Sequence, residues 1–600
     1  METPPGFIFL FKNLPRLLSP PALLYLGNVA ARDMFGVELP SWLVAIACII
    51  SPVLALSLST LWDDYKNRRD ASALNAIMAP FVESKSPGGF DLLSRIITNF
   101  KDGYPGDDFG DWVSQYGHTY CMKTLFETTV FTVEPEFIKN ILASDFNNFE
   151  KGNPAFHRNQ SVLGTGVFNS DGEMWKFHRS MTRPFFSKER ISDYDIYDRH
   201  AEDAIHQLKT RLREGYPVDF QDVISRFTLD SATEFLFGKD VRSLAAGLPY
   251  PAYALAADPN LEQPNPNNPA NVFAKAFAEA QDTLSIRNRY GKAWQFFEFW
   301  KDSAKDQMVA INTFIQPILS DAMERKRLAA SESETKGEKQ VGEGETLLSH
   351  MLNSTEDQNI LKDEILNMLV AGRDTTAGTL TFAAYMLSEH PHVFKRLREE
   401  VLSNVGPSRR PTYDDVRDMK YLRAVINETL RLFPIVPLNV RQSINPTTWR
   451  SKRSDGKPFY IPAGTRCRYS VFLMHRRKDL WGPDALEFDP DRFIDERLQK
   501  YLTPNPFIFL PFNAGPRICL GQQFAYNEIS FMLIRLAQNF ASISLAPDAQ
   551  PESSKPPLSW LNDREGRKAR EKIRPKSHLT MYAYEGLWVR MEEAALGNEI

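Results

Sequence analysis

The sequence contains little cysteine and no excess of basic charge. Only four cysteines occur in 600 residues, at 48, 121, 467 and 519, and no two lie close enough for a zinc knuckle or a redox pair. So few cysteines indicate a reducing compartment for the main domain. The 71 Lys and Arg residues against 75 Asp and Glu residues give a formal net charge of -4, which does not favour nucleic-acid binding. No complete G-x-G-x-x-G is present, so bound flavin or NADPH is not expected in this chain.

An uncharged run, residues 41–62, is the longest membrane-like segment near the start of the chain. About 20 apolar residues suffice to cross a bilayer, and Trp42 and Trp62 lie where interfacial aromatic residues are favoured. We therefore expect a single transmembrane helix over 41–62, with a buried core helix as the alternative. Three basic residues follow within 66–69, so the positive-inside rule places the main domain in the cytosol, most simply on the endoplasmic reticulum.

The segments on either side of this run differ in character. Residues 1–40 are apolar but interrupted by basic residues and prolines, which favours an interfacial leader segment on a bilayer, with a disordered leader as the alternative. We expect a linker over 63–99 and the main domain over 100–600. Polar stretches rich in proline, asparagine or charge predict three loops, over 257–270, 329–346 and 551–577.

The sequence patterns of the main domain predict a mainly α protein with a smaller β part. Residues 360–390 predict a long helix ended by Pro391, and residues 415–433 predict another, ended by Pro434. Short apolar runs at 459–462 and 467–473 favour strands.

One cysteine lies in a patterned loop, Phe512-x-x-Gly515-x-Arg517-x-Cys519-x-Gly521. The two glycines allow a tight backbone turn close to a flat cofactor. An amphipathic run begins near Gly521, so the Cys519 sulfur should lie at a helix N-terminus, where backbone N–H groups stabilise a thiolate. Arg517 can reach an acidic cofactor edge and Phe512 can shield the sulfur from water. The alternative is a buried free cysteine with no ligand role, which would not require Phe512, Arg517 and the two glycines around it.

This loop resembles the haem-binding signature of the cytochrome P-450 superfamily. The resemblance covers roughly residues 100 to 593 and implies the cytochrome P-450 fold, a helix-rich domain with small sheets. It also implies haem b (iron protoporphyrin IX) with Cys519 as the thiolate ligand of the iron. A thiolate ligand favours O–O cleavage.

The family's E-x-x-R motif is matched by Glu428 and Arg431, which lie one helical turn apart and can pair. By resemblance, the segment FDPDRF at 488–493 supplies a third partner, Arg492. Such a buried charge cluster fixes geometry more than it adds stability, so its expected role is structural.

Residues 371–376, AGRDTT, interrupt the longest apolar run. Gly372, with hydroxyls that bond back to helix carbonyls, can open the helix locally. By resemblance, Asp374 and Thr375 are the acid–alcohol pair that delivers protons during oxygen activation. A polar patch on a solvated helix face is the alternative, and the apolar flanks argue against it.

Residues 175–179 match the family's W-x-x-x-R, so Trp175 and Arg179 are expected to donate to a haem propionate, as is Arg441. His178 is interpreted as a surface or propionate-side residue rather than a metal ligand.

The motif details resemble fungal alkane- and fatty-acid-hydroxylating members, which implies long apolar substrates: n-alkanes, fatty acids, polycyclic aromatics or other xenobiotics. Expected pocket residues come from three segments: Phe156, Leu163, Val167, Phe168, Met368, Ala371, Ile435, Val436 and Leu438.

The implied electron donor is a separate NADPH-cytochrome P-450 reductase. Arg476, Arg477 and Lys478 are candidate docking residues, although a solvated charge run is favoured for them. Two rival functions are a haem-thiolate isomerase or dehydratase acting on hydroperoxides, and a non-catalytic haem-binding membrane protein. Neither needs the Asp374–Thr375 pair.

Overall fold

The computed structural model describes residues 3–187, 191, 194–332, 346–450, 456–563 and 565–595. Of the loop predicted over 329–346, residues 333–345 lie outside the described residues. Helices predominate and the strands are short, which confirms the prediction of a mainly α fold with a smaller β part.

The α-helices, numbered in chain order over the described residues, are α1 (Pro5–Phe35), α2 (Ser41–Ala73), α3 (Phe90–Asp102), α4 (Phe109–Tyr116), α5 (Pro135–Lys139), α6 (Asn153–Leu163), α7 (Gly172–Thr182), α8 (Asp195–Arg213), α9 (Phe220–Phe237), α10 (Ala252–Ala257), α11 (Pro269–Tyr290), α12 (Trp294–Phe297), α13 (Lys305–Glu332), α14 (Leu347–Ser354), α15 (Gln358–Leu369), α16 (Thr375–Glu389), α17 (Pro391–Asn404), α18 (Tyr413–Asp418), α19 (Lys420–Leu432), α20 (Val471–Met474), α21 (Lys478–Trp481) and α22 (Gln522–Asn539).

The strands are β1 (Thr119–Thr124), β2 (Glu127–Thr132), β3 (Phe149–Glu150), β4 (Val218–Asp219), β5 (Leu438–Ser443), β6 (Thr447–Trp449), β7 (Phe459–Ile461), β8 (Arg466–Ser470), β9 (Phe540–Leu545), β10 (Pro575–Ser577), β11 (Met581–Ala583) and β12 (Trp588–Glu593). The largest sheet has the order β1-β2-β8-β5-β3, in which β2 and β8 are parallel and the other neighbours antiparallel. Strand β5 carries Arg441 and strand β8 carries Arg466 and Arg468. Strand β8 also contacts the cysteine loop, because the Tyr469 hydroxyl donates to the side-chain oxygen of Asn513.

The N-terminal segment is helical over most of its length. Within the described residues, α2 is the one helix long and apolar enough to cross a membrane; only 6% of its most apolar stretch is buried, unlike a core helix. It extends eleven residues beyond the predicted end at 62. Helix α1 occupies most of the expected leader segment and packs along α2, where the Cys48 Sγ lies 3.5 Å from the carbonyl oxygen of Pro21.

The folded domain begins earlier than expected. Residues 63–73 belong to α2, and the backbone at Ile77 and Phe81 bridges to the sheets. Ala79 and Val82 are buried beneath them. The stretch after α2 is therefore packed against the domain, which differs from the expected linker over 63–99.

The two helices predicted for the core are both interrupted in the structure. The helix predicted over 360–390 runs from 358 to 389, with a π-helical opening at Val370–Asp374 between α15 and α16. The helix predicted over 415–433 is two helices, α18 and α19, broken at Met419, whose extended ψ of 96° ends the first helix. Of the predicted strands, β7 covers 459–461 and β8 covers 466–470, while 471–474 form the helical turn α20.

Candidate active site

The loop that carries Cys519 is a closed turn directly before α22. The backbone N–H of Cys519 donates to the carbonyl oxygen of Phe512 at 3.0 Å, and α22 begins at Gln522. Gly515 has a φ of +70°, and a Cβ there would lie 1.9 Å from the carbonyl oxygen of Leu142. Only glycine fits this position, because the loop packs directly against the backbone of Leu142.

Gly521 has a different role from the one expected. Its φ of −81° suits any residue, and a Cβ would meet only Phe186 at 3.8 Å. The predicted backbone requirement at Gly521 is therefore not seen. Instead, its N–H donates to the Cys519 sulfur, which lowers the pKa of that thiol.

The Cys519 thiol is reachable by solvent although protein atoms crowd around it. The residue is exposed, yet desolvation by its surroundings raises the pKa of the thiol, and the Gly521 N–H and the positive charge of Arg179 partly oppose this. The three other cysteines are buried or half-buried.

The residues near Cys519 fit a haem by their charge. Arg517 lies near Arg441 and Arg179, and burial beside Arg441 lowers the pKa of Arg517 to about 10. The same surroundings lower the pKa of Lys151 well below its usual range, chiefly through burial. The nearby carboxylates are Asp171, which accepts from Arg517 at 2.6 Å, and Glu150. Cationic side chains outnumber carboxylates in this region, which suits the anionic propionates of a haem.

Aromatic contacts complete this cradle. The Arg517 guanidinium lies 4.4 Å from the centre of the Trp175 ring and that of Arg179 lies 6.0 Å away. Phe512, within the cysteine loop, packs at a tilt against Tyr526 of α22, with ring centres 5.1 Å apart. The structure thus brings together the predicted cofactor residues. It adds Lys151, which no motif singled out.

His178 is not a surface residue. Its side chain is fully buried, with Nδ1 2.9 Å from Oε2 of Glu364 on α15. The same carboxylate accepts from the backbone N–H of Val167 at 3.0 Å. His178 and Glu364 therefore hold the loop after α6, and the interpretation of His178 as a surface residue is wrong because its side chain is fully buried.

The motif residues Glu428, Arg431 and Arg492 form a buried cluster. Arg431 donates to both oxygens of Glu428, with Nε–Oε2 2.7 Å and Nη2–Oε1 2.8 Å, while Arg492 Nε lies 3.6 Å from Glu428. Arg431 also donates to the carbonyl oxygens of His475 and Ala485. All three motif side chains are at most 1% exposed, and Asp484, 2.9 Å from Arg492, supplies the second carboxylate that the two arginines need.

His475 connects this cluster to the cysteine loop. Burial lowers the pKa of His475 to about 3, so the ring is neutral. Nδ1 lies 3.2 Å from the Arg431 carbonyl oxygen, and Nε2 accepts from the backbone N–H of Leu510 at 2.9 Å. Leu510 precedes Phe512 by two residues, so the charge cluster fixes the start of the cysteine loop. The sequence offered no signal for this link.

The opening of the long helix places the acid–alcohol pair at partly exposed positions. Thr375 Oγ1 donates to the Ala371 carbonyl oxygen at 2.5 Å, the back-bonding expected from the sequence. Asp374 accepts from the neighbouring Arg373 at 2.9 Å and from Gln281 of α11 at 2.5 Å. The carboxylate is therefore held by two side chains, and its helix is opened at the same point.

Gln281 and His578 are functional candidates that sequence reasoning missed. Gln281 is buried in α11, about ninety residues before Asp374 in sequence, so only the tertiary fold brings it to the carboxylate. Burial lowers the pKa of His578 to about 4, with Asp374 and Arg373 acting on it from nearby. His578 lies just before β11, whose Met581 N–H donates to the Ile435 carbonyl oxygen at 2.8 Å.

The expected substrate residues fall into two groups. Partly exposed side chains, suited to line a pocket, are Phe156, Phe168, Ala371, Val436 and Leu438. Those buried within the core clusters are Leu163, Val167, Met368 and Ile435.

The basic run at 476–478, which follows α20, forms neither a solvated face nor a free docking patch. Arg476 donates to the Leu432 carbonyl oxygen and to the Tyr104 hydroxyl, and stacks 3.6 Å from the centre of the Phe472 ring. Arg477 bonds to the Val133 carbonyl oxygen and pairs with Asp479. Only Lys478 is exposed, since the other two side chains satisfy carbonyl groups inside the domain.

Glu528 is a buried acid on α22 that faces the long helix. Burial raises the pKa of Glu528 to about 8, and the hydroxyls of Thr376 and Ser231 partly offset this. Because the folded-state pKa lies above the ordinary value of 4.5, the stability that depends on the neutral acid is complete below that value. It is lost as the pH rises toward 8.

We expect Glu528→Gln, which keeps the neutral form at every pH, to raise the urea midpoint at about pH 8 and to leave it unchanged at about pH 4.5. The control is Glu399→Gln, which alters an exposed acid and should shift neither midpoint. Equal shifts at the two pH values would contradict the assignment of a neutral buried acid.

Known proteins place the chain in a family. A family model described as Cytochrome P450 matches residues 98–567. The chain is 38% identical over 509 residues to Cytochrome P450 52A3-B of Candida maltosa, covering 83% of this chain and 91% of that protein. It is 37% identical over 484 residues to Cytochrome P450 monooxygenase pvhE of Talaromyces variabilis, covering 77% and 83%. Cytochrome P450 52-M1 of Starmerella bombicola is 34% identical over 527 residues, covering 86% and 93%. This chain belongs to the cytochrome P450 family and is a monooxygenase of its fungal branch.

Proposed function

We propose that this chain hydroxylates long apolar substrates (n-alkanes, fatty acids, polycyclic aromatics or other xenobiotics), using O2 and electrons from an NADPH-dependent reductase. The observation that carries this proposal is the accessible Cys519 thiol, which accepts from the Gly521 N–H at the start of α22, with Arg517, Arg441 and Arg179 close to it. A haem b bound there supplies the oxygen activation and C–H oxidation.

Each residue near this position has a proposed role. Cys519 ligates the iron as a thiolate, and the N–H of Gly521 stabilises that charge. Arg517, Arg441, Arg179 and Trp175 bind the propionates, with Lys151 as an additional donor. Phe512 would shield the sulfur from water when a haem is bound.

Proton delivery is proposed for Asp374 and Thr375. An ionisable carboxylate next to a hydroxyl can pass protons from solvent to the oxygen-binding side. Gln281 and Arg373 hold the carboxylate at the helix opening, so they position the pair. A hydroperoxide isomerase or dehydratase, or a non-catalytic haem-binding protein, would have no use for this arrangement.

The cellular setting is proposed from the N-terminal helices. Helix α2 would anchor the protein in the endoplasmic reticulum membrane by a single pass, with the catalytic domain on the cytosolic side, where the reductase supplies electrons. Lys66, Arg68 and Arg69 follow the apolar part of α2 and favour this orientation. The exposed apolar side chains of α1 would add membrane contact along α2.

The test of this function is the carbon monoxide difference spectrum of the reduced full-length protein in membranes. We expect the long-wavelength Soret band of thiolate-ligated haem, and its loss in Cys519→Ala. The control variant is Cys48→Ala, which removes a half-buried thiol of α2 and should keep the band.

A well-folded protein without haem absorbance would contradict the proposal. A shorter-wavelength band in the unaltered chain would also contradict it, because it would mean a different axial ligand. With the long-wavelength band present, oxidation of alkane, fatty-acid and aromatic panels in the presence of reductase would identify the substrate class.

A further inference from the structure

The first turn of α1 docks on the chain segment between α11 and α13. This segment, residues 291–304, contains α12 and five aromatic residues, and we refer to it as the aromatic segment. The backbone N–H of Gly6 donates to the carbonyl oxygen of Phe299 at 2.9 Å. The first N–H groups of a helix have no partner within that helix, so the bond to Phe299 satisfies a donor that α1 itself leaves open.

Glycine is required at position 6 for this contact. A Cβ at Gly6 would lie 2.3 Å from the Phe299 ring and 2.6 Å from its carbonyl oxygen, closer than van der Waals contact allows. Pro5 and Gly6 are buried, whereas the rest of α1 is half-buried or exposed. Gly27, the other glycine of α1, has no atom within 4 Å of its Cβ position. The close approach is therefore a property of the first turn and not of α1 as a whole.

Aromatic rings add to the contact. The ring centre of Phe7 lies 5.5 Å from that of Phe299 and 5.8 Å from that of Trp300. The ring centre of Phe9 lies 6.1 Å from that of Phe296. Aromatic pairs at these distances attract each other, so the start of α1 is held by side chains as well as by the backbone.

The aromatic segment is in turn fixed to the end of α11. Arg287, whose side chain is fully buried, donates to the two carboxylate oxygens of Glu298 at 2.7 and 2.6 Å, and to Asp302 at 2.6 Å. The Tyr290 ring stacks on that of Phe297 with centres 3.8 Å apart. A displacement of the aromatic segment would therefore displace the last turn of α11.

Helix α11 connects this end to the candidate active site. Gln281 precedes Arg287 by six residues, which is about 9 Å along a helix. Its side-chain N–H donates to Asp374 at 2.5 Å, and its side-chain oxygen has no partner among the described residues. The position of α11 thus decides whether Asp374 is held.

Helix α1 also joins the membrane anchor to the aromatic segment. It packs along α2 over its length and contacts α12 with its first turns. Elsewhere α2 and the aromatic segment are separated, because Lys292 and residues of α2 between Thr60 and Asp70 line one polar cavity of about 590 Å³.

Membrane contact alone does not explain this arrangement. The exposed apolar side chains of α1 suit a bilayer. A bilayer, however, requires neither a glycine at position 6 nor a hydrogen bond to Phe299.

We propose that the first turn of α1 is a latch, which holds the aromatic segment in place and thereby keeps Gln281 of α11 against Asp374. The leader helix then has a role within the catalytic domain besides membrane contact. The hold on the aromatic segment is independent of the proposed function, whereas the effect on proton delivery by Asp374 rests on that function.

The test is hydrogen–deuterium exchange of the full-length haem-loaded protein in phosphatidylcholine vesicles, comparing Gly6→Ala with Gly27→Ala. Both variants replace glycine by alanine in α1, so both favour the helix, and only Gly6→Ala disturbs the contact with Phe299. We expect exchange in residues 287–304 to become at least about fivefold faster in Gly6→Ala and to stay unchanged in Gly27→Ala.

A second pair of variants removes one ring each from α1. Phe7→Ala deletes the ring that contacts Phe299 and Trp300, and should speed exchange in the aromatic segment as Gly6→Ala does. Phe11→Ala, one turn later, deletes a ring that is 68% exposed and should have no such effect.

The same samples test the connection to Asp374. In Gly6→Ala and Phe7→Ala, exchange at residues 370–376 should also become faster. Dodecane product formed per NADPH, measured with reductase, should fall at least about twofold in both variants while the carbon monoxide band is kept.

Unchanged exchange in the aromatic segment of both Gly6→Ala and Phe7→Ala would overturn the latch. An equal rise in Gly27→Ala would also overturn it, because the effect would then belong to the stability of α1 alone. Faster exchange in the aromatic segment with none at 370–376 would overturn the connection to Asp374. A missing carbon monoxide band in the unaltered protein would contradict the proposed function, and the exchange comparison would still decide whether the latch exists.

Discussion

Replacing Glu428 with glutamine is expected to lower the free energy of unfolding by about 3–5 kcal/mol. Glutamine keeps the shape of the side chain but removes the charge that compensates Arg431 and Arg492, and all three residues are buried. The loss should extend to the cysteine loop, because Arg431 and His475 connect the cluster to Leu510. Urea unfolding followed by tryptophan fluorescence measures the first effect, and the yield of the carbon monoxide band measures the second.

The matched control is Glu487→Gln, at a residue whose backbone carbonyl oxygen accepts from Arg431 at 3.0 Å. Glu487 is about half exposed and pairs with Arg570 on the surface, so its loss should cost less than about 1 kcal/mol. If the two variants unfold at the same urea concentration, the buried cluster does not carry the stability assigned to it.

Replacing Asp374 with asparagine is expected to lower the rate of substrate oxidation by about 100-fold or more, while the carbon monoxide band is kept. Asparagine can still bond to Arg373 and Gln281, but it cannot exchange a proton at neutral pH. Product formed per NADPH consumed, measured with reductase, should fall together with the rate, because reduced oxygen would be released without entering substrate.

A pair of threonine variants tests the hydroxyl half of the relay. Thr375→Ala removes the partly exposed hydroxyl at the helix opening, and should lower product formed per NADPH. Thr379→Ala removes a buried hydroxyl one turn later that bonds back to the Thr375 carbonyl oxygen, and should not. Rates within twofold of the unaltered protein for both Asp374→Asn and Thr375→Ala would remove these residues from the mechanism.

The cysteine loop shows where local sequence is sufficient. Its closed turn and the start of α22 after Gly521 follow from neighbouring residues, because turns and helix ends are set by local backbone preferences, whereas the close approach of Leu142 to Gly515 is made by the fold. The pairing of Glu428 with Arg431 is local in the same sense, since one helical turn separates them. These features were predictable without knowledge of the fold.

The environment of each side chain was not predictable in this way. The sequence around His178 does not reveal that its side chain is buried against Glu364. Nor does the sequence around Arg476 reveal that it donates to the hydroxyl of Tyr104, more than three hundred residues away. Lys151, Gln281 and His578 reached the site from separate elements without any motif. The burial of a side chain and the charges that act on it depend on residues from many elements of the fold, so they cannot be read from its neighbours in sequence.

By itself, the sequence determined the family, the thiolate cysteine as the leading ligand candidate, the charge cluster and the apolar anchor, because spacing along one chain segment encodes each of them. Only the tertiary structure decided that Asp374 is held from α11 and that arginines from three separate elements lie close to Cys519. These two arrangements depend on contacts between elements far apart in sequence, and the free energy of a buried charge is set by such contacts.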